Sequence, residues 1–209
     1  METKNTLSSY LIERLYNYGV HHVFGTHGDY VLVFFNELSR SSLKVINTCD
    51  EQGAGYAADA YARVNGLGVV CITYCVGGLK VINTTAQAYA EKSPVVVISG
   101  APGIKERNKN PLLHHKVRDF DTQKKIFEEI TVASTVLTDP KTAPHEIDRV
   151  LIAAQRYKSP VYIEFPRDML STPVVDHPGY CEIQEKSDTV ALQEALTETV
   201  TMINAAKKL

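Results

Sequence analysis

Short apolar runs alternate with stretches of helical periodicity along most of this chain, and the alternation restricts the folds that it can adopt. Runs such as Val95-Val96-Val97-Ile98 are apolar on both faces, which indicates strands that are covered on both sides. Strands separated by helices form parallel sheets with helices packed against them. We therefore expect a doubly wound, mainly parallel six-stranded α/β sheet with helices on both faces, with strands at residues 20–24, 44–48, 68–73, 94–99, 131–137 and 160–165.

The two ends of the chain carry further helical patterns. Asn5-Thr6-Leu7 precede a helical stretch that ends at Gly19, as expected of a capped helix with a glycine after its last turn. The α/β pattern stops near Pro166, and the tail repeats apolar residues at helical spacing: Leu192, Leu196, Val200 and Ile203. We expect one domain over residues 1–172, followed over 173–209 by a linker and the first helix of an otherwise absent second domain.

Composition and charge exclude several classes of protein. The chain has 22 basic and 24 acidic side chains and a formal net charge of −2, which argues against a nucleic acid or an anionic membrane as partner. No apolar run approaches the roughly 20 residues of a membrane helix, and the polar N-terminus does not resemble a secretory signal. We expect a cytoplasmic protein with four reduced cysteines of the core type: Cys49, Cys71, Cys75 and Cys181.

Familiar motifs of phosphate binding and nucleophilic catalysis do not occur in the sequence. It contains neither G-x-G-x-x-G nor G-x-x-x-x-G-K-[ST], and it has no G-x-S-x-G elbow. Two histidine pairs occur, His21-His22 and His114-His115, but adjacent side chains point in different directions and rarely chelate one metal. No metal site is expected within this chain.

Polar residues and glycines follow several of the expected strands. In parallel sheets the carboxyl ends of the strands meet at one edge, where ligands bind. This edge would gather two carboxylates and two histidines, which are Asp29, Glu51, His114 and His115. Each has a structural alternative: Glu51 can complement a helix dipole, Asp29 can cap a helix, and the histidines can lie in a solvated loop.

Several segments then occur in an order and spacing that resemble a known family. They are Gly28-Asp29-Tyr30, Glu51 ahead of residues 54–63, Thr73-Tyr74 with Val76-Gly77, and residues 88–91, 98–102, 113–115 and 160–166. Over about residues 5–170 the set resembles the N-terminal pyrimidine-binding domain of thiamine-diphosphate-dependent 2-oxo acid decarboxylases, the pyruvate and indolepyruvate decarboxylase group. The tail resembles the opening helix of that family's middle domain.

The resemblance implies a carboxy-lyase that uses thiamine diphosphate and Mg²⁺ to convert a small 2-oxo acid to an aldehyde and CO₂. It implies that Glu51 hydrogen-bonds the pyrimidine N1′, that Asp29, His114 and His115 transfer protons, and that Gly28, Thr73 and Val76 contact the cofactor. For Thr73, a purely structural role at a strand end is the alternative. The family binds the diphosphate and Mg²⁺ on a C-terminal domain of the dimer partner, so we expect a homodimer or tetramer and an inactive isolated chain.

Two residues of this chain differ from the family pattern, and three other functions remain open. The family usually has Pro where this chain has His27 and Ser where it has Cys75, which could alter substrate choice. The alternatives are a pyrimidine-binding subunit of a split enzyme, an acetohydroxyacid-synthase-like enzyme and a non-catalytic dimerisation module. The pair His114-His115 favours a decarboxylase over the synthases, which generally lack it.

Overall fold

The computed structural model describes residues 5–174 and 187–207, and the chain divides into two compact units, Met1–His177 and Pro178–Leu209. The first unit is built on a single sheet. Its strands are β1 (His22–Gly25), β2 (Lys44–Asn47), β3 (Gly68–Ile72), β4 (Val95–Ala101), β5 (Ala133–Val136) and β6 (Val161–Pro166). They lie in the order β2-β1-β3-β4-β6-β5, and each neighbouring pair is parallel.

Six helices of this unit cover the two faces of the sheet. They are α1 (Leu7–Asn17), α2 (Leu32–Ser39), α3 (Glu51–Asn65), α4 (Ile82–Ala90), α5 (Thr122–Glu129) and α6 (Ala143–Tyr157). Along β3, Val69 and Cys71 pack into a core with α1, α2 and α6, whereas Val70 and Ile72 pack into a core with α3, α4 and α5. This is the two-residue alternation of a strand between two layers. The expected doubly wound six-stranded parallel sheet is confirmed.

Local sequence signals explain where the first and third helices begin and end. Thr6 forms a capping box with Ser9 at the start of α1, and Gly19 follows that helix with a φ of 81°. At α3, the side chain of Asp50 accepts a hydrogen bond from the Gly53 amide at 2.7 Å, which places Glu51 in the first turn. The first helix therefore has the caps that its sequence predicts.

Small residues let α3 approach the sheet and α4 closely. An added Cβ at Gly55 would lie 2.1 Å from the Thr84 hydroxyl, and one at Gly68 would lie 2.0 Å from the Ala58 carbonyl oxygen. Ala54 and Ala58 belong to the core on this face. The small residues of this helix therefore serve backbone packing on its buried side.

The second unit contains one helix, α7 (Thr189–Ala205), in its described part. Asp188 caps it by accepting hydrogen bonds from the amides of Val190 and Ala191. The helix that the apolar repeat predicted in the tail is thus present, and its apolar residues are exposed. Among the helices of the described ranges, none is both long enough and apolar enough to cross a membrane.

The expectation that the cysteines are core residues is only partly correct. Cys71 and Cys75 are buried, but Cys49 is exposed, because it follows the edge strand β2, whose flanks are open to solvent. All three are free thiols. Cys181 lies outside the described residues.

Candidate functional site

The strand order creates a crevice between the loops that follow β1 and β3. From β1 the chain moves outward to β2 and then returns to place β3 on the other side of β1. Such reversals are where open α/β sheets bind ligands. Gly28, in the first loop, lies against Thr73 in the second: an added Cβ at Gly28 would be 2.5 Å from the Thr73 Cβ. Only a glycine permits this approach without a shift of one loop.

Asp29 and the two histidines come together at this edge, as the sequence predicted. The Nε2 atom of His114 lies 3.1 Å from the Oδ2 atom of Asp29, and both side chains are more than half exposed. The rings of His114 and His115 stack with centroids 3.6 Å apart. Tyr30 fastens the two loops, because its hydroxyl donates to the carbonyl oxygen of His114 at 2.9 Å. The cluster joins one short loop to the long segment after β4.

His115 is the less hydrated of the two imidazoles. Burial lowers the pKa of His115 below its ordinary value, and the charge of His114 acts in the same direction. The carboxylate of Asp29 and a backbone hydrogen bond at Tyr74 oppose this effect. The Nδ1 atom of His115 is buried and has no hydrogen-bond partner among the described residues. A neutral ring with an unused nitrogen can accept a proton near pH 7.

Glu51 lies at the start of α3 with 18% of its side chain exposed, so it does not extend into bulk water. Its Oε2 atom is 3.4 Å from the ammonium of Lys80, which is also 3.1 Å from Asp50. The hydrogen bond to Asp50 is the main cause that raises the pKa of Lys80. Within the described residues, no hydrogen bond or ion pair links Glu51 to Asp29 or the histidines.

Thr73 and Val76 flank a strained turn after β3. Thr73 is 5% exposed, and its buried hydroxyl has no hydrogen-bond partner among the described residues. Val76 is 54% exposed. Between them, Cys75 has a φ of 48°, a left-handed conformation that is unusual for a residue with a side chain. The turn therefore presents one unused hydroxyl and one apolar side chain at the crevice.

Two residues near this site depart from the family pattern, and they have different surroundings. The exposed His27 ring packs on Phe35 at 4.3 Å between centroids, and its Nδ1 atom is 3.1 Å from the Oδ1 atom of Asn47. Cys75 is buried, and burial raises the pKa of its thiol. The thiol is therefore protonated near neutral pH and is a poor nucleophile.

Sequence reasoning missed two residues that contact the site. Lys80 lies in the 3₁₀ turn Leu79–Val81, and no pattern in the sequence pairs it with Glu51. Gln123 accepts a hydrogen bond from the Cys75 amide at 2.7 Å. A signal existed for Gln123, because it precedes the buried Phe127 by four residues and so lies on the same helix face.

The crevice presents polar groups of the kind that an aminopyrimidine ring requires. A ring of this kind carries N–H donors and nitrogen acceptors, which the carboxylate of Glu51 and the unpartnered hydroxyl of Thr73 can match. Metal binding is a separate matter: in residues 5–174 and 187–207 no group of three or more His, Cys, Asp or Glu side chains is arranged to hold an ion.

Comparison with known proteins identifies the family. The family of thiamine pyrophosphate enzymes, N-terminal TPP-binding domain, matches residues 5–126, more than half of the chain. This chain belongs to that family. Thiamine pyrophosphate, abbreviated TPP, is another name for thiamine diphosphate. The resemblance read from the motifs is confirmed.

Among curated proteins, the chain is 46% identical to the indole-3-pyruvate decarboxylase of Azospirillum brasilense over 179 residues, which is 83% of this chain and 33% of that protein. It is 44% identical to the pyruvate decarboxylase of Aspergillus parasiticus over 78% of this chain and 29% of the relative. Pyruvate decarboxylase 4 of Arabidopsis thaliana is 34% identical over 99% of this chain and 35% of its own length. The chain thus spans about a third of the length of these relatives.

Proposed function

We propose that this chain is the N-terminal portion of a thiamine-diphosphate-dependent decarboxylase that converts a small 2-oxo acid to an aldehyde and CO₂. The cluster of Asp29, His114 and His115 at the crevice carries the proposal, because it adds proton-transfer groups to a cofactor-binding edge. Family membership supports the cofactor, and the relatives named for pyruvate and indole-3-pyruvate support the substrate class.

In this proposal the crevice binds the pyrimidine half of the cofactor. Bound thiamine diphosphate supplies a nucleophilic carbon and accepts the electron pair that remains when CO₂ departs. Glu51 would hydrogen-bond the pyrimidine N1′ and favour the imino tautomer of the ring, and the hydroxyl of Thr73 would gain the partner that it lacks among the described residues. Gly28 would let the two loops approach each other beside the ring, and Val76 would contact the ring through its exposed side chain.

Proton transfer falls to Asp29, His114 and His115. The lowered pKa of His115 keeps its ring neutral near pH 7, so that it can accept a proton. Asp29 lies 3.1 Å from His114, so the carboxylate and the two imidazoles form one cluster along which a proton can pass. The segment after β4 thus presents two stacked imidazoles to the carboxylate of the other loop.

The remaining parts of the catalytic machinery lie outside this chain. Because the relatives are about three times as long, we place the diphosphate and its Mg²⁺ on a C-terminal domain that this chain does not contain. The same reasoning assigns residues 1–172 to the pyrimidine-binding domain and 173–209 to a linker and the first helix of a middle domain. We further propose a homodimer or tetramer in the cytoplasm, with the cofactor between subunits.

A substitution of Glu51 tests the proposed function. In the protein expressed from the full coding sequence, Glu51→Gln is expected to lower decarboxylase turnover about a hundredfold or more, because the amide cannot take the proton role of the carboxylate. Turnover with pyruvate and indole-3-pyruvate is measured with saturating thiamine diphosphate and Mg²⁺. The matched control is Glu129→Gln at an exposed position of α5. A Glu51→Gln protein as active as the control would refute the role of Glu51.

The isolated chain provides the complementary measurement. Residues 1–209 are expected to show negligible decarboxylase turnover and to bind thiamine diphosphate with Mg²⁺ no tighter than about millimolar, or about −4 kcal/mol. Calorimetric titration measures the affinity. Turnover by these residues alone would contradict the assignment of the diphosphate site to another domain.

A further inference from the structure

A buried amide stands directly behind the turn after β3. Gln123 is fully buried on α5, and it is not among the residues that the proposed function uses. Its Oε1 atom accepts a hydrogen bond from the Cys75 amide at 2.7 Å. Its Nε2 atom donates to the hydroxyl of Ser99 at 2.8 Å and to that of Tyr162 at 2.6 Å. The side chain is therefore held at both ends.

The turn that Gln123 contacts needs such a restraint. Cys75 has a φ of 48°, and side chains disfavour this left-handed region, so the turn would relax if nothing held it. The amide oxygen also fits closely against the next residues, because an added Cβ at Gly78 would lie 1.9 Å from it. One oxygen atom thus hydrogen-bonds Cys75 at one end of this segment and packs against Gly78 at the other.

A buried ion pair fixes which way the amide of Gln123 points. Arg107 donates to Glu164 at 2.8 Å, and the hydroxyl of Tyr162 donates to the other oxygen of Glu164 at 2.8 Å. The Tyr162 hydroxyl has one hydrogen, which it donates to Glu164. Its oxygen must therefore accept the hydrogen bond from the Nε2 atom of Gln123. The Oε1 atom is then left facing Cys75. The two contacts of Glu164 therefore set the direction of the whole chain of hydrogen bonds.

The same turn carries candidate cofactor contacts. Thr73 precedes Cys75 by two residues, and Val76 follows it directly. The intervening Tyr74 is anchored separately, since its hydroxyl donates to the carbonyl oxygen of Phe120 at 2.9 Å. A change in the backbone of Cys75 would consequently alter the position of Val76 relative to Thr73, because Tyr74 keeps the preceding part of the turn attached to the segment that follows the histidine pair.

We propose that Gln123 is a positioning residue for the cofactor: its side-chain oxygen holds Cys75 in the left-handed conformation that places Thr73 and Val76 at the crevice. This inference rests on the proposed function, since it concerns the same crevice. Gln123 does not touch the cofactor and acts only through the backbone of the turn.

The test compares Gln123→Met with a control of similar stability in the holoenzyme from the full coding sequence. Methionine has nearly the same shape and removes every hydrogen bond of the amide. The control is Thr131→Val, which removes a buried 2.6 Å hydrogen bond to Phe127 just after α5. Two quantities are measured: hydrogen exchange of the Cys75 amide without cofactor, and the dissociation constant of thiamine diphosphate in the presence of Mg²⁺.

Gln123→Met is expected to speed Cys75 exchange and to weaken cofactor binding about tenfold, whereas Thr131→Val changes neither. Gln123→Glu is expected to restore both within threefold, because it keeps an oxygen acceptor for the Cys75 amide. If Gln123→Met matches Thr131→Val in both measurements, the positioning role is overturned. Faster exchange with unchanged affinity overturns it too, because the turn would then be irrelevant to binding.

Two further outcomes are also decisive. If Gln123→Met does not fold, Gln123→Glu decides alone: binding within threefold of wild type supports the role, and a tenfold loss with the Cys75 amide still protected overturns it. If the wild-type holoenzyme does not bind thiamine diphosphate, the proposed function itself fails and this inference falls with it. Wild-type binding with no effect of Gln123→Met overturns the inference alone.

Discussion

At the residue scale, the crevice combines groups whose surroundings differ sharply. Asp29 and His114 form an exposed pair, whereas the Nδ1 atom of His115 and the hydroxyl of Thr73 are buried without partners in the described structure. Unpartnered buried polar atoms are costly, so these two are candidates for contact with a bound ligand. The partly buried Glu51 is close enough to Lys80 that the two charges offset each other.

The titration of His115 follows from these surroundings. Burial and the charge of His114 lower its pKa, while Asp29 raises it. We therefore expect His114→Asn to raise the pKa of His115 and Asp29→Asn to lower it further. The pKa of His115 is lower in the folded state than in the unfolded state, so the neutral ring favours folding above the ordinary pKa. This contribution to the free energy of unfolding is lost as the pH falls from the ordinary pKa through the folded value.

Nuclear magnetic resonance of the labelled imidazoles measures both shifts. His145, on α6, serves as the internal control, because it lies on a different element from the crevice. If Asp29→Asn left the His115 titration unchanged, the charge of Asp29 would not reach that ring, and the cluster would not work as a unit.

At the element scale, the crevice depends on two loops that approach each other where strand order reverses. Gly28 and Thr73 are in contact there, and the motif Gly28-Asp29-Tyr30 predicted the first loop correctly. The sequence also predicted all six strands, because short runs of Val and Ile that are apolar on both faces are typical of buried strands. It did not predict Gln123 or Lys80, since the partners of these residues depend on how α5 and the 3₁₀ turn pack.

Substitution of Gly28 tests the contact between the loops. In Gly28→Ala the new methyl group would lie 2.5 Å from the Thr73 Cβ, so one loop must shift. We expect a loss of about 1–3 kcal/mol in the free energy of unfolding, measured by urea denaturation. Gly53→Ala is the control, because its new methyl would meet no atom closer than 3.1 Å. Equal stabilities of the two variants would mean that the loops separate without cost.

At the scale of the whole molecule, one buried charge influences the stability of the sheet. Glu164 lies on the inner strand β6, where burial raises its pKa and Arg107 partly offsets this rise. No sequence pattern predicts such a residue, because a glutamate within an apolar strand is recognisable only when its partner is found. The same limit applied to Cys49, whose exposure depends on β2 being an edge strand.

The sign of the pH effect follows from the raised pKa of Glu164. Folding favours the protonated carboxyl, so the free energy of unfolding contributed by this group is largest below the ordinary pKa of 4.5 and falls as pH rises through the folded value. Arg107→Met is expected to raise the pKa of Glu164 further, because it removes a positive charge that lowers it. The pH range over which the free energy of unfolding falls should then be wider. Glu164→Gln is expected to remove the slope.

Urea denaturation between about pH 5 and pH 8 measures both slopes. Glu129→Gln, at an exposed site, controls for the loss of one carboxyl. A slope in Glu164→Gln that equals the wild-type slope would assign the pH dependence to other groups.

The contact between Gly28 and Thr73 also limits how this protein can diverge. Because the two positions share one small space, a bulkier residue at either would be tolerated only with a compensating reduction at the other. Drift at the two sites is therefore coupled even though they lie in loops that follow different strands. A lineage that enlarged position 28 would have to abandon the hydroxyl at position 73, and with it one of the groups that a bound ring could use.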